Sequence, residues 1–164
     1  MSVQPGDQAR ASVQVAVPRA EAFRVFTEEI DQWWRRGPAY RMSGARRGII
    51  ALEPRLGGRL FESFDDDAGG ERVVESGRVL TWEPPTRVVF SWRATNFAPH
   101  EETEVEVTFE ERARGTYVTV THRGFASLRP DHPVRHGAEV PAFIARMGAW
   151  WGGLLTSLRE HAGS

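Results

Sequence analysis

The chain has 164 residues, 40% hydrophobic and 26% charged, with no cysteine and a formal net charge of -1. That is the make-up of one globular domain, long enough to bury roughly 70% of its unfolded surface. It excludes disulfides, thiolate nucleophiles and cysteine-ligated zinc, and, because all 21 basic residues are arginine, Schiff-base and P-loop lysines as well. The near-neutral balance argues against a nucleic-acid groove. No apolar stretch reaches the ~18 residues of a membrane span, and MSVQPGDQARAS has no apolar signal region, so a cytoplasmic protein is expected.

Arg10 to Val17 alternates, with Val13, Val15 and Val17 on one face and Ser12, Gln14 and Ala16 on the other, the pattern of a half-buried strand. Pro18 ends it and opens a helix from Arg19 to about Glu29, in which Ala22, Phe23, Phe26 and Ile30 fall at helical spacing. Asp31 is the candidate N-cap of a second short helix through Gln32, Trp33 and Trp34, stopped by Gly37-Pro38. Strands follow over Gly48–Pro54, Arg59–Phe64, Glu71–Trp82, Arg87–Arg93, Thr103–Glu111 and Thr116–Arg123, punctuated by Gly57-Gly58, Gly69-Gly70, Pro84-Pro85 and Gly115. The last element is a long helix from about Glu139, with Pro141 in its first turn and Val140, Phe143, Met147, Trp151, Leu154 and Leu158 as its apolar stripe. An antiparallel meander buries one face, and this helix is its cover.

VPRAEAFRVFTEEIDQWW (Val17 to Trp34), EPRLGGRLFE (Glu53 to Glu62), GRVLTWEPPTRVVFSWR (Gly77 to Arg93), TYVTVTHRGF (Thr116 to Phe125) and GAWWGGLLTSLREHA (Gly148 to Ala162) resemble, in order, the signatures of the SRPBCC (START-like) superfamily. More narrowly they resemble its group of activator of heat-shock-protein-90 ATPase homologues. The resemblance covers nearly the whole chain. It implies an α+β helix-grip fold in a single domain, residues 1–164 with an ordered core of about 10–161. A curved antiparallel sheet of about six to seven strands wraps round the long C-terminal helix, with two short helices after the first strand. It also implies an apolar cavity between sheet and helix. The activity is left open, because this superfamily hosts carriers, receptors and enzymes. Co-chaperone activity belongs to larger proteins of the group with an additional domain.

The expected function is binding of a hydrophobic or amphipathic small molecule in that cavity by a monomer or homodimer. Trp34, Tyr40, Phe61, Phe90, Trp92, Val107, Val120, His122, Phe143, Met147 and Trp151 are the expected ligand contacts; for each, plain core packing is the competing reading. His122 shares a face with Val118 and Val120 and is the one candidate acid/base, with Glu62 or Glu75 as partner if either turns inward. An enzyme of the cyclase, dehydratase or hydrolase kind is therefore the first alternative, and a protein-interaction module the second. His132 and His136 are four apart, but Pro133 lies between them, so no metal site is expected, nor any cofactor. No G-x-S-x-G, H-E-x-x-H, G-x-G-x-x-G or P-loop motif occurs.

Overall fold

A computed structural model describes residues 8–41, 43, 48–65, 68–93, 102–124 and 140–163, the side chains of 140–143 apart. The elements run β1 (Gln8–Val15), α1 (Arg19–Glu28), α2 (Ile30–Trp33), β2 (Gly48–Leu52), β3 (Arg59–Asp65), β4 (Glu71–Glu83), β5 (Arg87–Trp92), β6 (Thr103–Arg112), β7 (Gly115–Arg123) and α3 (Val140–Ala162). All seven strands form one antiparallel sheet in the order β1-β7-β6-β5-β4-β3-β2. The meander from β2 to β7 is thus extended by the first strand, which pairs with the last.

Alternation decides the inner face. Val13 and Val15, Val88 and Phe90, Val105, Val107 and Phe109, and Val118 and Val120 all turn inward and are buried. The helices cover them: Phe23 and Phe26 of α1 meet Phe109 at ring-centroid distances of 5.1 and 5.7 Å, and α3 buries Trp151, Leu154, Leu155 and Leu158 while packing most closely on β1. The outer face carries charge. Arg123 grips Glu104 at 2.5 Å and Glu106 at 2.9 Å, and Arg87 reaches Glu106 from the other side.

Curvature originates in β4. Its register slips against β3 at Ser76 and against β5 at Leu80, and each extra residue bends the strand. At the first slip Ser76 and Gly77 are both buried, and the Ser76 carbonyl accepts the Arg93 N–H at 2.6 Å. Gly77 lies so near β5 that a Cβ there would sit 1.8 Å from the Ser91 carbonyl oxygen, so only glycine fits.

At β1 and α2 the structure departs from the periodic reading for a visible reason. β1 stops at Val15, not Val17, because β7 begins at Gly115 and the Val15–Thr116 pair is the last rung. Beyond it the Ala16 N–H donates to Gly163 and the Val17 carbonyl accepts the Thr116 hydroxyl. Asp31 does not cap α2, which begins at Ile30 with no side-chain cap. Its carboxylate instead takes the Ile50 N–H at 3.0 Å and the Arg41 guanidinium at 2.6 Å, stronger partners than a first-turn amide.

Candidate functional site

Three elements bring five of the six tryptophans together. Trp33 ends α2 and turns to Phe26 of α1, 4.8 Å between centroids, while Trp34, the C-cap residue with extended backbone, turns toward β5 and α3. There it lies nearly parallel to Trp92 at 6.1 Å and edge-on to Trp150 and Trp151 at 5.9 and 5.7 Å. Trp150 and Trp151 touch at 5.1 Å, and Tyr40 stacks on Trp150 at 5.6 Å. Each such ring pair adds about 0.5–1.5 kcal/mol beyond the area it buries. Four of the five indole N–H groups donate hydrogen bonds: Trp33 to the Phe26 carbonyl, Trp34 to the Tyr40 carbonyl, Trp150 to the Ala39 carbonyl and Trp151 to His122 Nδ1. Trp33, Trp34 and Trp151 are buried, whereas Trp92, Trp150 and Tyr40 are half-exposed. The cluster therefore has a closed floor and an open aromatic rim. Gly153 makes room for the rim, since a Cβ there would lie 2.9 Å from the Tyr40 hydroxyl.

His122 lies beneath this cluster, fully buried. Its Nδ1 is 3.0 Å from Trp151 Nε1, which can only donate. Nδ1 is therefore unprotonated, and Nε2–H donates to the Thr103 hydroxyl at 2.6 Å. Burial pushes the imidazole down to about 3. Both ring nitrogens are committed to holding α3 on β6 and β7, and no proton leaves or enters this ring without breaking that tie.

The loop after α2 is anchored by Arg41, whose guanidinium is almost completely buried. It donates to the carbonyls of Asp31, Trp34 and Arg35 at 2.9, 2.7 and 3.2 Å and to the Asp31 carboxylate. Burial pushes the Asp31 carboxyl up, but the Ile50 N–H, Arg41 and Arg36 outweigh it and hold it below its ordinary value. Next to this anchor Glu62 turns inward, 2% exposed, and accepts the Ser43 N–H at 3.0 Å. The Ser43 hydroxyl is buried with no hydrogen-bond partner.

The expected contacts separate accordingly. Trp34, Trp92, Trp151 and Tyr40 meet in the cluster, and Met147 packs, half-buried, against the hydrophobic core. Phe90, Val107 and Val120 are sealed in the core. Phe61 is a correction: Leu60, Glu62 and Phe64 face inward, so Phe61 faces outward, with the Arg59 guanidinium 4.5 Å over its ring. Glu75 is likewise exposed and paired with Arg78. The side chain of Phe143, and His132 and His136 entirely, lie outside the described residues. Trp150, Thr103 and Arg41 were not among the expected site residues. Thr103 falls on the inner face by simple alternation with Val105, and Trp150 adjoins Trp151 on the helix, whereas nothing in the sequence marks Arg41. Among the described residues no His, Asp and Glu side chains converge as metal ligands, and no helix is long and apolar enough to cross a membrane.

The sequence model of the family described as activator of Hsp90 ATPase homolog 1-like protein matches residues 16–161. Among curated proteins none matches. The fold is similar to that of a Nitrosomonas europaea protein, with 17% identity and a TM-score of 0.64 over 98% of this chain and 96% of that one. A Staphylococcus aureus protein of unknown function is similar at 15% identity and a TM-score of 0.63, over 92% of this chain and 90% of that one. The Aha1 dimer of Colwellia psychrerythraea is similar at 15% identity and a TM-score of 0.61, over 94% and 95%. At these identities the likeness concerns the fold.

Proposed function

The chain belongs to the family of activator of Hsp90 ATPase homolog 1-like proteins, and from that membership we propose that it binds a hydrophobic or amphipathic small molecule between the inner face of the sheet and α3. The observation that carries this is the half-open aromatic rim of Trp92, Trp150 and Tyr40 over a floor of buried tryptophans. Aromatic faces that stay partly exposed on a folded protein suit flat apolar ligands. The buried Glu62 carboxylate and the partnerless Ser43 hydroxyl on the same side of the sheet supply a polar end for an amphipathic ligand. The enzyme reading loses its one acid/base, because His122 is spent on Thr103 and Trp151.

The test is titration of the protein with N-phenyl-1-naphthylamine, a neutral apolar fluorophore. Saturable binding is expected, weakened about tenfold in Trp92→Ala and in Trp150→Ala, the worth of one well-placed ring pair. Arg59→Ala on the outer face leaves it unchanged. Equal affinity in both tryptophan variants removes the site.

A further inference from the structure

A concavity lies away from the aromatic cluster, at the opposite end of β7, about 20 Å along the strand from His122. It is an open cleft of about 370 Å³ between the β1–α1 junction and the β6–β7 turn, and Arg19, Arg112, Arg114 and Glu111 line it. We infer that this cleft is a binding site for a phosphate group, as free phosphate or on a small phosphate ester.

Three guanidiniums against one carboxylate give the lining a net positive charge. Arg24, Arg41, Arg59, Arg87 and Arg123 each hold a carboxylate at 3.0 Å or less. The cleft arginines do not. Arg19 Nη2 is 3.6 Å from Glu111 and Arg112 Nη2 is 3.7 Å from Glu110, both beyond hydrogen-bond reach. The Nε of Arg19 is buried and has no acceptor at all, and a buried donor left so is costly. Arg112 is steadied by the Tyr117 ring, 4.9 Å below its guanidinium. α1 opens into the same cleft with Pro18 at its N-cap and no side-chain hydrogen bond there. Planar guanidiniums with uncommitted N–H groups match a tetrahedral oxyanion through paired hydrogen bonds. Glu111 opposes such a ligand by charge, which makes it diagnostic.

The full-length chain is titrated by calorimetry with inorganic phosphate and, separately, with phenyl phosphate, at constant ionic strength. Saturable binding of either is expected, with phenyl phosphate the tighter if an ester is the natural form. Arg19→Gln should weaken it about tenfold, the worth of one charge-assisted hydrogen-bond pair. Arg114→Gln should weaken it several-fold, and Glu111→Gln should tighten it. Arg78→Gln on the outer face serves as the charge-matched control. The proposal is overturned by absence of saturable binding, by an Arg78→Gln loss equal to that of Arg19→Gln, or by weaker binding in Glu111→Gln.

Discussion

At neutral pH the His122 ring accepts one hydrogen bond from α3 and donates one to β6. The unfolded imidazole takes up a proton below its ordinary value of 6.5, whereas the folded ring does so only near 3. Acid therefore favours the unfolded chain across that window. The contribution is complete above pH 6.5 and is lost progressively on descending toward 3, at about 1.4 kcal/mol per pH unit. Asp31 acts in the same sense at lower pH: its folded value is depressed, so its contribution is present above its unfolded value of 3.8 and lost below it. The two are separable. Urea unfolding at pH 8 and pH 5 should show wild type losing about 2 kcal/mol more than His122→Phe, which has nothing to titrate. The variant is weaker at pH 8, since the Trp151 N–H and Thr103 hydroxyl lose their partner. An equal acid loss in both proteins would show that the ring does not titrate as its burial requires.

At the scale of elements, the shape of the sheet's inner face depends on β4 and α3. β4 reads as one long strand by composition, yet its slips at Ser76 and Leu80 divide it into segments with different inward residues. This is why Glu75 points out while Glu62 on the neighbouring strand points in. Gly77→Ala should destabilise by about 3 kcal/mol, because its new Cβ meets the backbone of β5, which cannot step aside. Gly153→Ala meets only the tip of Tyr40 and should cost about 1 kcal/mol or less. The two thermal midpoints, measured side by side, check this ordering. In β3 strict alternation was available from the sequence, but which set of residues faces inward was not, and Phe61 was assigned to the wrong side for that reason. In β6 and β7 the apolar sets Val105-Val107-Phe109 and Val118-Val120 announced the inner face, and Thr103 and His122 followed by parity.

At the scale of the molecule, a ligand that binds the folded form alone stabilises it by linkage. With N-phenyl-1-naphthylamine at a hundred times its dissociation constant, the gain is about 2.7 kcal/mol, and for a chain of this size the thermal midpoint should rise by roughly 5–10 °C. The rise should shrink in Trp150→Ala at the same probe concentration. Phosphate should raise the midpoint independently, because its cleft shares no residue with the aromatic rim, and the two increments should add.

The sequence alone determined the order of elements, the antiparallel meander and the covering helix, since these follow from periods of two and 3.6 and from glycine and proline at the turns. It also pointed to the family, through ordered segments that resemble the activator of heat-shock-protein-90 ATPase homologues, whose sequence model matches residues 16–161. Only the tertiary structure decided which tryptophans are floor and which are rim, because that depends on how far α3 stands from the sheet. It decided the state of His122, because a tautomer is set by partners 19 and 29 residues away. It also decided where arginines remain uncommitted, because ion pairing depends on distances that composition does not contain.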